Sequence, residues 1–154
     1  MIDQTRTDTF TEFVVTVESK LQHALIASFG VDHGREALAE AFAYAWEHWD
    51  RIQGMDNPVG YLYRVAQNHA KKVLSKRKVM FPDAPLATVP WVEPGLPLAL
   101  AQLSERQRVA VYLVHGQEWS TREVSEFLGV SKTTVQKHVE RGMKKLRRRL
   151  DVEG

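Results

Sequence analysis

Five of the chain's six prolines fall between residues 79 and 97, in the run V-M-F-P-D-A-P-L-A-T-V-P-W-V-E-P-G-L-P. Proline lacks a backbone donor and its ring strikes the preceding turn, so no helix continues through that density. The 154 residues are thereby cut into two blocks, 1–78 and 98–154, joined by a linker of polyproline character at 79–97. At ~3.1 Å per residue such a linker reaches roughly 59 Å, so the two blocks could act at separate places. Phe81 and Trp91 suggest a linker that is partly docked.

Both blocks read as helical. From Asp8 to Phe29, apolar residues recur every three or four positions (Phe10, Phe13, Val14, Val17, Leu21, Leu25), with Gly30 as the stop and residues 1–7 as a frayed tail. A second helix runs from Asp32 or His33 to Asp50, with Leu38, Ala41, Phe42, Ala45 and Trp49 on one face. Glu36, Glu40 and Glu47 form a strip on its other side. Gln53–Asn57 is a loop turning at Gly54. Asn57 is a good N-cap, and Pro58 suits the first position of a helix that runs to Lys78. Its predicted core stripe is Leu62, Val65, Ala66, His69 and Val73.

The second block carries strong punctuation. Ser104 with Gln107 and Ser120 with Glu123 are capping boxes, Gly116 and Gly129 close the helices they open, and Ser131 caps the last helix. Helix, glycine-bearing tight turn, helix is the signature of a helix-turn-helix. On its last helix Val135, Val139, Met143 and Leu146 share the inner face, and Thr133, Lys137, Arg141, Lys144 and Arg148 the outer one. The predicted fold class is therefore all-α, two small helical domains joined by a Pro-rich linker.

The net charge of +2 hides a sharp segregation. Residues 1–60 hold 4 basic and 10 acidic side chains, residues 64–78 hold 6 basic and none acidic, and residues 131–149 hold 8 basic and 1 acidic. Two basic blocks on separate helices are an electrostatic footprint for nucleic acid, and the acidic first part suits a basic protein partner. Tyr61, Arg64, Asn68, Lys71, Lys72 and Ser75 lie together on the Pro58 helix, an aromatic platform and an amide among cations. That mixture suits single-stranded nucleic acid, by stacking and phosphate neutralisation; the plain alternative is a solvated basic face. On the last helix, Arg and Lys can read guanine edges, and the cluster from Lys144 to Arg149 suits phosphates.

Other functions are disfavoured. The chain has no cysteine, hence no disulfide and no thiolate site. Six histidines are scattered without metal-ligand spacing, and no P-loop, GxGxxG or nucleophile elbow occurs. The carboxylates at Glu36, Glu40 and Glu47 have no His or Ser partner for acid–base chemistry, so neither an enzyme nor a cofactor is expected. No signal-peptide core and no 18-residue apolar run is visible, and a cytoplasmic protein is expected.

The order W-x-x-W-D-R-I, a short loop, then N-P-V-G-Y-L-Y-R-V-A-Q-N-H-A-K-K resembles region two of bacterial sigma factors of the extracytoplasmic-function (group IV) type. The unit L-S-E-R-Q-R-V-A-V-Y-L…S-T-R-E-V-S-E-F-L-G-V-S-K-T-T-V-Q-K-H-V resembles region four, and it also looks like a LuxR-type helix-turn-helix. The sigma resemblance implies a non-catalytic initiation factor that binds core RNA polymerase through the β′ clamp and β flap. On it, Glu36, Glu40, Phe42 and Glu47 dock on polymerase, although Ala39 stands where the family usually has Gln. Met55, Asp56 and Asn57 pocket a flipped −10 base, and Tyr61, Arg64, Asn68, Lys71 and Lys72 take the melted −10 strand. Thr133, Gln136, Lys137, Arg141, Lys144, Lys145 and Arg148 meet the −35 duplex. An anti-sigma protein is a further partner the resemblance suggests. The rival reading is a helix-turn-helix regulator that never engages polymerase.

Overall fold

The computed structural model describes residues 4–77 and 96–153, and all regular structure among them is helical. In chain order the elements are α1 (Gln4–Phe29), α2 (Val31–Glu47), α3 (Trp49–Ile52), α4 (Pro58–Arg77), α5 (Leu96–Ala101), α6 (Glu105–Val111), a π-helical turn over Tyr112–Gly116, α7 (Thr121–Leu128) and α8 (Lys132–Glu153). The expected linker lies outside the described residues, except that α5 already begins at Leu96. Pro97 is tolerated there because the first turn of a helix needs no donor from it.

Local signals placed most of the ends. Both capping boxes are present, with Gln107 N donating to Ser104 Oγ and Glu123 N to Ser120 Oγ. Thr134 N donates to Ser131 Oγ at 3.1 Å, and Gly129 closes α7 in the left-handed region at φ 71°. Two boundaries differ from the expectation. The first turn of α1 is not frayed, because Arg6 reaches across to the Trp46 carbonyl and to Asp50, and Gln4 bonds Asp8. The second helix breaks at His48 instead of reaching Asp50; the His48 N–H and its Nδ1 both lie at the Tyr44 carbonyl, and α3 restarts at Trp49.

α1, α2 and α4 pack around Leu21, Leu25, Ala41, Ala45, Trp49, Ile52 and Leu62, all buried. α1 and α2 meet so closely at Gly34 that a Cβ there would lie 2.9 Å from the Ile26 nitrogen. The helix-turn-helix does not stand apart. Val109, Leu113, Trp119, Val124, Phe127 and Val135 belong to the same continuous core. Tyr63 packs on Phe127 with the rings tilted at 45° and centroids 4.8 Å apart, and Lys20 pairs with Glu123 at 3.7 Å. A second cluster joins Ile26 of α1 to Leu100, Leu103, Val111 and Leu146.

This packing rotates the core stripe of α4 away from the one expected. Leu62, Tyr63, Ala66 and Ala70 are buried, whereas Val65, His69 and Val73 are half-buried at its edge. α4 is covered from two sides, by α1 and α2 and by α7, so its buried arc turns towards Tyr63. His69 is not a core residue: its Nε2 lies 3.6 Å from Glu36 Oε1.

Arg108 is the buried cation of the joint, only 4% exposed. Its Nε and Nη2 donate to the carbonyls of Ala27 and Ser28 at 2.5 and 2.9 Å, and its Nη1 to Leu103 at 3.1 Å. The first two carbonyls lie in the last turn of α1, which has no basic residue of its own. Arg108 thus supplies from α6 the charge and donors that a helix C-terminus favours. Burial lowers its pKa from the ordinary guanidinium value to about 10.

Tyr63, whose hydroxyl lies 2.7 Å from Ser28 Oγ, is pushed the other way: burial raises its phenol well above 10.0. The folded chain therefore keeps the Tyr63 proton at pH values where the unfolded chain has lost it. That contribution is complete below pH 10 and is lost as pH rises further. Arg108 acts oppositely above about pH 10, where the unfolded chain holds the extra proton. Tyr63→Phe is expected to remove the falling component, giving a more positive slope of unfolding free energy against pH above 10 than the parent chain. The lost Ser28 contact should cost about 1 kcal/mol at neutral pH. Superimposable slopes in urea titrations of the two proteins would refute this assignment.

Candidate polymerase and nucleic-acid interfaces

The exposed acidic strip is on α2. Glu36, Glu40 and Glu47 are exposed, with Glu36 beside His69, and Phe42 is half-buried against the core. Among the described residues, neither Glu40 nor Glu47 takes part in an ion pair.

The loop before α4 is largely occupied by the fold itself. Asn57 Oδ1 accepts from Gly60 N at 3.1 Å, and its Nδ2 donates to the Glu126 carbonyl at 2.5 Å. Met55 is half-buried against the core, which leaves Asp56 as the exposed member of the three. The contact joins the C-terminal end of α7 to the N-terminal end of α4, so the two helix dipoles meet favourably.

On α4, Arg64, Asn68, Lys71 and Lys72 are exposed and Tyr61 is half-buried, so the expected cationic face is present as a surface. Arg64 lies against the turn at Gly129, where any Cβ would strike its guanidinium. A cleft of about 390 Å³ opens between α4 and the helix-turn-helix, lined in part by Arg64, Lys71, Arg106 and His138. Burial, with repulsion from Arg106 and Arg141, holds His138 below its ordinary imidazole value.

Tyr61 has partners that helical periodicity could not show. Its hydroxyl lies 3.0 Å from that of Tyr44 on α2, and Arg51 of α3 donates to Tyr44 Oη at 2.9 Å and Tyr61 Oη at 3.3 Å. The shared hydrogen bond pushes the phenols apart, Tyr44 down and Tyr61 up, with Arg51 further lowering Tyr44. Tyr44 stacks on His48 with centroids 4.2 Å apart.

On α8, Val135 and Leu146 are buried and Val139 and Met143 half-buried, while Thr133, Gln136, Lys137, Arg141, Lys144, Lys145 and Arg148 are all exposed. Lys145 is partly drawn in by Gln107, at 3.1 Å.

Among the described residues, an exposed, cationic second helix in a helix-turn-helix is the arrangement of a duplex-DNA-binding module. Residues 96–146 match the family described as sigma-70, region 4. The chain is 29% identical over 125 residues to the RNA polymerase sigma-E factor of Streptomyces coelicolor, covering 75% of this chain and 71% of that protein. Its fold is similar to that of the sigma factor RpoE of Bartonella quintana, solved with the anti-sigma factor NepR (TM-score 0.70, 20% identity, 95% of this chain and 99% of that one). The chain thus carries a unit similar to sigma-70 region 4 at residues 96–146, within a fold and a sequence similar to those of sigma factors.

Proposed function

We propose that this chain binds core RNA polymerase through the acidic strip of α2, reads a −35 element with α8 and holds the melted −10 strand on α4. The observation that carries the reading is the outer face of α8. Its polar and cationic side chains stand clear of an inner face anchored by buried Val135 and Leu146, the arrangement that a recognition helix needs in a major groove. Catalysis would belong to the polymerase. Because α7 covers Asn57 and lies against Arg64, −10 capture would require the helix-turn-helix to move off α4.

Run-off transcription with purified core polymerase on a promoter library tests the whole reading; no defined start site above core alone would sink it. Within it, Lys137→Ala or Arg141→Ala should cost about 1–3 kcal/mol on the preferred −35 sequence and relax specificity there. Lys144→Ala, Lys145→Ala or Arg148→Ala should weaken all sequences alike and flatten the salt dependence. Equal, uniform losses in both sets would exclude base readout by α8.

A further inference from the structure

Three elements converge at the outer end of α4: Tyr44 from α2, Arg51 from α3 and Tyr61 from α4. Arg51 reaches both phenol oxygens, and its Cζ stands 5.8 Å from the centre of the Tyr61 ring. Its neighbour Asp50 is taken by Arg6 at 3.5 Å, and no carboxylate pairs with Arg51 among the described residues. Arg51 is exposed, and hydrogen bonds in that setting add little stability. Their physical consequence is to hold an aromatic ring and an unneutralised guanidinium in one orientation. A ligand that needs both meets a prebuilt site and loses less side-chain freedom on binding.

We propose that Arg51, Tyr44 and Tyr61 form a single-nucleotide site for unpaired DNA, with the base stacked on Tyr61 and its phosphate held by Arg51. Stacking on the accessible part of this half-buried ring requires a base that has left the duplex, which selects single strand over double. The planar guanidinium fork suits a phosphate, and Tyr44 positions it by accepting from Arg51 Nη2. The site lies at one end of the face that continues through Arg64 and Asn68 to Lys72, roughly 16 Å along the helix from Tyr61. Arg51 therefore lengthens the cationic track beyond the end of α4. This inference rests on the −10 reading above and adds to it Arg51 and Tyr44, which lie on neither face assigned to DNA from the sequence.

The test uses preassembled holoenzyme, the full chain with core polymerase, on a forked template whose −10 region is unpaired. Arg51→Gln keeps a donor for the phenols but removes the charge. It is expected to bind severalfold more weakly and to lower the slope of log Kobs against log salt by about 0.7, one single-strand phosphate contact. Arg51→Lys should keep the slope, and Tyr44→Phe should keep the slope while binding less tightly than the parent. An unchanged slope and affinity for Arg51→Gln, with Tyr61→Ala defective, would overturn the site while leaving the −10 reading intact. Full binding and opening by Tyr61→Ala would sink the reading itself.

Discussion

Arg108→Ala is expected to lower the unfolding free energy by roughly 3–5 kcal/mol, from three buried carbonyls that lose a charged donor and from the space left behind. The acceptors are the Ala27, Ser28 and Leu103 carbonyls, so the substitution loosens the end of α1 and the seat of α6 together. Arg108→Met tests the polar part alone, since it fills most of the volume and donates nothing; it should recover less than half of the loss. Arg108→Lys keeps the charge but not the planar fork, and should also fall short. Urea unfolding followed by circular dichroism measures all three. A loss below about 1 kcal/mol for Arg108→Ala would show that the joint between the halves does not depend on this residue.

Reversing Glu40 and Glu47 together to Lys is expected to weaken binding to core polymerase by about tenfold to a hundredfold, because like charges across an interface cost several kcal/mol. The pair is preferable to one that includes Glu36, whose carboxylate stands by His69, so that its reversal would also disturb the packing of α2 on α4. Both chosen residues are exposed, and their replacement should leave thermal stability within the small range of surface substitutions. Binding is read by titrating core polymerase with labelled chain. An unchanged dissociation constant, with the parent chain binding normally, would remove the acidic strip from the docking surface.

What could be read from the residues alone follows the range of the forces involved. The capping boxes at Ser104 and Ser120, the cap at Ser131 and the left-handed Gly129 depend on atoms within a few positions of each other, so spacing suffices to place them. The inner face of α8 is equally legible, because it packs on one side and the 3.6-residue repeat survives. The acidic strip of α2 follows for the same reason.

Tertiary structure decided where two helices compete for one surface. α4 is packed by α1 and α2 and also by α7, so Tyr63 became core and His69 an edge residue whose Nε2 lies 3.6 Å from Glu36. Arg108 reads in the sequence as one more charge on a short helix. Only the approach of α6 to the end of α1, 80 residues away along the chain, turns it into a buried cap. Tyr44, Arg51 and Tyr61 belong to three elements whose periodicities are unrelated, and only packing brings their polar ends within hydrogen-bonding distance. A pattern along a chain records which face of a helix is apolar; which partner covers it, and which distant side chain meets its polar edge, is settled by the shape of the whole core.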